Sequence, residues 1–175
     1  MATSAASAAN RRKIPARLAP KPIDYVLAVG ATGILLAMSV ALVRGFPEWS
    51  LISWPMTLHI VSLWIALVIT PVMLIRARGD ALHRLLGKIW VISLFFTALV
   101  SFLIPPLGTF SPIFVLSALT TWQSLYIWYT ARQRNWQSHL RQVRILVGGG
   151  LVVAGFFTFQ FGRLFDRWIS GLAGA

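Results

Sequence analysis

Five runs of 18 to 21 mostly apolar residues, set apart by short basic segments, constrain this chain more than any other feature. A bilayer's hydrocarbon core is about 30 Å thick and accepts helices of about 17 to 25 apolar residues. In water each run would instead need covering on every side. The runs are Ile23–Val43, Met56–Leu74, Gly87–Ile104, Pro112–Tyr129 and Val143–Phe161. With 57% hydrophobic and only 11% charged residues, the chain lies far from soluble usage. The predicted fold is all-α, an integral membrane bundle of five transmembrane helices over residues 22–170. A basic, Ala/Ser-rich cytoplasmic tail (1–21) precedes it and a short tail (171–175) follows.

The breaks between runs have local causes. Pro105-Pro106 cannot continue a helix, and Gly108 with Pro112 then predicts a tight turn, so the third and fourth spans form an antiparallel hairpin. A basic start followed by an apolar run resembles a signal peptide, but Ile23–Val43 is too long for an h-region and reads as a retained span. Orientation follows from the basic residues. Thirteen lie on one side: Arg11, Arg12, Lys13, Arg17 and Lys21, then Arg76, Arg78, Arg84 and Lys88, then Arg132, Arg134, Arg141 and Arg144. Three lie on the other: Arg44, Arg163 and Arg167. The amino terminus is therefore expected in the cytoplasm and the carboxyl terminus outside.

The same distribution removes nucleic acid from the partners. A net charge of +12 spread over three cytoplasmic segments is what the positive-inside rule produces. The absence of cysteine excludes disulfides, thiolate metal sites, iron–sulfur clusters and cysteine nucleophiles. The four acids, Asp24, Glu48, Asp80 and Asp166, all fall at span ends or in loops. No H-E-x-x-H, G-x-S-x-G, P-loop or dinucleotide fingerprint is present, so hydrolase, ATPase and zinc-protease chemistry has no residues to act through.

Three histidines remain. His59 lies just inside the second span near its outer end, and Ser62, Ala66, Thr70 and Met73 follow at helical spacing. Such a small-or-polar stripe faces other helices. An imidazole at membrane depth marks a candidate site, here a quinone hydrogen bond or a second haem with Met38 as its other ligand; the alternative is a neutral imidazole hydrogen-bonded to a neighbouring helix. His83 and His139 each open an outward-running helix on the cytoplasmic side, beside Arg84 and Lys88 or Arg141 and Arg144. A helix amino terminus favours neutral imidazoles and bound anions. The pair is thus expected to ligate a metal, the iron of a b-type haem whose acidic groups meet Arg84, Arg141 and Arg144. Gly87, one turn from His83, leaves room either for the macrocycle or for a neighbouring helix. His59 stands apart, since fifteen residues to Leu74 span about 22 Å.

The pattern TLHIVSLWIAL (57–67), HRLLGKIW (83–90), a tryptophan-bearing fourth span and HLRQVRI (139–145) resembles a family of predicted bacterial membrane proteins, domain of unknown function twenty-three oh six. The resemblance implies a bundle in the bacterial inner membrane with characteristic histidines at His59, His83 and His139, and carries no activity. The layout is also loosely similar to membrane b-type cytochromes. The resulting expectation is a haem-binding electron-transfer protein partnered by a quinone or by a respiratory or photosynthetic membrane complex. The alternative is a cofactor-free accessory subunit or lipid-binding protein of a larger complex.

Overall fold

The computed structural model describes residues 19–104, 112–160 and 163–170. Most of the predicted amino-terminal tail, the Pro105-Pro106 turn with Gly108, and the tail 171–175 lie outside the described residues. Among the described residues the chain is helical and holds no strand. The long helices are α1 (Pro22–Arg44), α2 (Trp54–Ile75), α3 (Ala81–Ser101), α4 (Pro112–Arg132) and α5 (Trp136–Phe157), followed by a short α6 (Leu164–Ser170). Four of them, α1, α2, α3 and α5, are long and apolar enough to cross a membrane. The chain is thus a multi-pass helical membrane protein by length and composition. α4 has a comparable length of 21 residues but carries Thr120, Thr121, Gln123 and Ser124 along it.

Helices α3 and α5 start earlier than apolar content alone predicts, because polar caps extend them past the apolar stretch. Asp80 Oδ1 accepts the His83 backbone N–H at 2.7 Å, and Asn135 Oδ1 accepts that of Ser138 at 3.2 Å. Each satisfies a donor that the first helical turn leaves open. The first turns of α3 and α5 therefore belong to helix, and His83 and His139 sit on helical faces. At the far end of α3, the predicted residues Phe102 and Leu103 form a turn after Ser101.

Successive helices run antiparallel, so their ends gather at two poles. One holds the starts of α1, α3 and α5 and the ends of α2 and α4. The other holds the start of α2 and the ends of α1, α3 and α5. The expected stripe on α2 faces inward, with Ser62, Ala66, Thr70 and Met73 buried. Its counterpart on α3, Trp90, Leu94, Thr97 and Ser101, is buried against it. The seam carries its own polar pairing: Trp90 Nε1 donates to Thr70 Oγ1 at 2.8 Å, and Ser62 Oγ lies 2.7 Å from Thr97 Oγ1. Farther round, Gln123 Nε2 on α4 donates to Gln142 Oε1 on α5 at 3.1 Å. Such bonds join helices where apolar contact gives no preference over lipid. Trp64 and Trp122 are 40% and 59% exposed, and Trp64 Nε1 donates to Ser39 Oγ of α1 at 3.2 Å.

Gly148-Gly149-Gly150 lies in a π-helical stretch, Leu146–Val153, in the middle of α5. A Cβ at Gly148 would touch Leu27 at 3.4 Å, whereas one at Gly149 would meet open space. The triple glycine therefore permits helix widening more than close approach, and π-turns of this kind cluster at functional sites.

Candidate functional site

At the first pole the structure brings together His83, His139 and a buried ion cluster. Asp24, one turn into α1 and 1% exposed at its side chain, accepts from Arg144 of α5 through Nε–H to Oδ1 (2.8 Å) and Nη2–H to Oδ2 (2.9 Å). Arg78, in the α2–α3 connection, donates Nη2–H to Oδ2 at 2.6 Å and Nη1–H to the Ala19 carbonyl at 2.9 Å. One carboxylate thus ties three separated parts of the chain. His139 Nδ1 lies 3.3 Å from the Ile127 carbonyl, while His83 Nδ1 is buried without a partner among the described residues.

Both imidazoles line one cavity with Asp24, Arg78, Arg144 and Trp90, but that cavity measures about 20 Å³. This is the space of one water; ligand pockets run to roughly 300 Å³ and more. The arrangement does not fit a haem between His83 and His139. The arginines expected to meet haem propionates have other roles. Arg144 is committed to Asp24, Arg84 Nη1–H donates to the Gly79 carbonyl at 2.7 Å, and Arg141 is exposed. Gly87 faces α2, where a Cβ would make an ordinary contact with Met73 Cε at 3.5 Å. Its smallness serves helix contact.

At the opposite pole lies a cavity of about 400 Å³, lined by all five long helices, the segment after α5 and α6. Its walls are chiefly apolar, including Leu63, Leu67, Leu94 and Leu151, and Met38 of α1 lines it as well. The π-helical stretch contributes Leu146, Gly150 and Leu151, so the widening of α5 falls where the cavity lies. Polar groups are few: His59, Ser117, Thr120 and Arg163 among them. Three aromatic rings, Phe157, Phe159 and Phe165, complete the wall near Arg163, the last two stacked with centroids 5.6 Å apart.

His59 is held by α3. Its Nδ1 lies 2.8 Å from Ser101 Oγ and 3.2 Å from the Thr97 carbonyl, while the Ser101 hydroxyl donates to that same carbonyl at 2.8 Å. A carbonyl oxygen only accepts, and the serine proton is already directed to it. The geometry therefore puts the imidazole proton on Nδ1 and leaves the Nε2 lone pair as the group His59 offers to the cavity. Arg163, at the end of the segment after α5, lines the same cavity and is exposed.

Among the described residues, no group of three or more His, Asp or Glu side chains stands ready to hold a metal ion. Comparison with protein-family models, with curated proteins and with solved structures returns no match.

Asp24, Arg78 and Arg163 were not singled out as site residues by the sequence reading. Asp24 carried a usable signal: an acid at the very start of an apolar span is stabilised by a nearby cation. Nothing in the sequence distinguishes Arg78 or Arg163 from the other loop arginines.

Proposed function

We propose that this protein is a non-catalytic, ligand-binding membrane protein that holds a lipid-like molecule in the cavity beneath His59 and Arg163. The observation that carries this reading is the cavity itself: about 400 Å³, apolar walls and a small set of polar groups at one pole. That is the make-up of a small-molecule site, in which apolar walls supply affinity and a few fixed polar groups supply orientation. The preference over haem-based electron transfer rests on the tight, ion-paired surroundings of His83 and His139. In this reading α4 is the fifth span and the Asp24 pole, which holds nine of the twelve basic residues among those described, faces the cytoplasm of a bacterium. The His59 cavity then opens in the outer half of the inner membrane, and the protein serves as an accessory subunit that carries or retains an amphipath.

The test is extraction and mass spectrometry of what co-purifies in mild detergent, for wild type and Thr120→Trp, which places an indole in the cavity. The wild type retains a stoichiometric amphipath and the variant loses it while keeping its helicity. Equal retention by both would place the molecule elsewhere and end the proposal.

A further inference from the structure

Resting on that reading, we infer that the ligand's head is a hydroxyl-bearing aromatic ring of the quinol class, donating to His59 Nε2 and accepting from Arg163.

The head must first suit His59. With Nδ1–H directed at the Thr97 carbonyl and Ser101 Oγ, the ring presents an acceptor to the cavity. A quinol O–H satisfies it. An oxidised quinone carbonyl does not, because two acceptors would then face each other in a low-dielectric site. The second polar contact has the opposite sense. Arg163 has only donors to give, and the second oxygen of a quinol keeps lone pairs to accept from it. One ring with two oxygens, of which one donates and one accepts, matches both.

The walls favour a flat head on a long apolar tail. Phe157, Phe159 and Phe165 lie on the Arg163 side, with the Phe159 and Phe165 rings inclined by 22°, and aromatic faces of this kind stack on another ring. A glycerol head has no flat face to stack on them. The remaining walls, Leu63, Leu67, Leu94 and Leu151 among them, suit an isoprenoid or alkyl chain. Among the described residues no carboxylate lines the cavity. His59 is a binding and positioning residue here, and no electron transfer within this chain is implied.

The experiment is equilibrium binding of a radiolabelled short-tailed quinone to the full chain in nanodiscs. The probe is kept either oxidised or reduced, and empty nanodiscs are subtracted. Wild type, His59→Gln and Thr120→Trp are compared, each checked by thermal unfolding. Wild type is expected to bind the reduced form about tenfold tighter, the worth of one net hydrogen bond. His59→Gln, whose amide offers a donor and an acceptor alike, should bind both forms equally. Equal binding of the two forms by wild type, or discrimination that survives in His59→Gln, overturns the quinol assignment and leaves the cavity reading standing. A co-purified amphipath that neither form displaces, yet Thr120→Trp removes, does the same. Absence of both probe binding and any co-purified amphipath overturns both.

Discussion

Replacing Asp24 by asparagine tests whether the ion cluster around it holds the bundle together. The carboxylate accepts three charge-assisted bonds, at 2.8, 2.9 and 2.6 Å, from two arginines. Bonds to charged groups contribute roughly 1.5–3 kcal/mol each, but asparagine keeps one acceptor oxygen, so the loss is smaller than their sum. What remains is two guanidinium groups without a counter-charge. Arg144 is 23% exposed at its side chain and can rehydrate in part, whereas Arg78 at 7% cannot without moving. Breaking a buried pair from one side costs about 3–5 kcal/mol, and the partial exposure of Arg144 argues for the lower end, about 3 kcal/mol, roughly a 150-fold fall in the folding constant. Equilibrium unfolding in mixed micelles reads this directly. Loss of protection should appear first where Arg78 and Arg144 were anchored, at the α2–α3 connection and the start of α5. A change within 1 kcal/mol of wild type would refute the reasoning, since the cluster would then be solvated in the folded protein.

Further expectations concern other points of the fold. A Cβ at Gly45 would fall 2.1 Å from the Trp168 ring, which is buried at 1% exposure and donates Nε1–H to Glu48 Oε2 at 2.8 Å. Gly45→Ala should displace that indole and release α6, at about 1–3 kcal/mol, seen as a red-shifted emission absent in Trp168→Phe. Thr70→Val leaves the Trp90 indole N–H buried without its acceptor and should cost roughly 1–3 kcal/mol in the same unfolding assay. The Arg76 guanidinium, then the His83 backbone N–H, hold the Asp80 carboxyl below its ordinary value. A folded value below the unfolded one means that the contribution is complete above about pH 4 and fades as pH falls through the folded value. Protection of the His83 amide, taken relative to its intrinsic exchange rate, should therefore fall only in acid, and Asp80→Asn should remove that dependence.

The fold was legible where a residue's burial follows from spacing alone. The α2 stripe from Ser62 to Met73 and the α3 stripe through Trp90, Leu94, Thr97 and Ser101 could be read because helical periodicity fixes which side chains share a face. The gathering of His83 and His139 at one pole was also readable, from the alternation of span direction. What they meet there was not. The size of the space between them depends on Met73 packing against Gly87 and on Arg144 turning to Asp24, 120 residues away. Neither contact has a local sequence signature. The triple glycine shows the same limit: from the sequence it reads as a close-packing point between helices, whereas the structure has a π-helical widening there. His59 stood out from the start, yet its tautomer depends on Ser101 and Thr97 from another helix.

The most direct test of the central claim is anomalous scattering from crystals grown with a ring-brominated, short-tailed quinol. A bromine peak inside the cavity lined by Leu67, Thr120 and Leu151, with a ring oxygen within hydrogen-bond distance of His59 Nε2, is the result expected. Bromine confined to the outer, lipid-facing surface of the bundle, with that cavity empty, would contradict it.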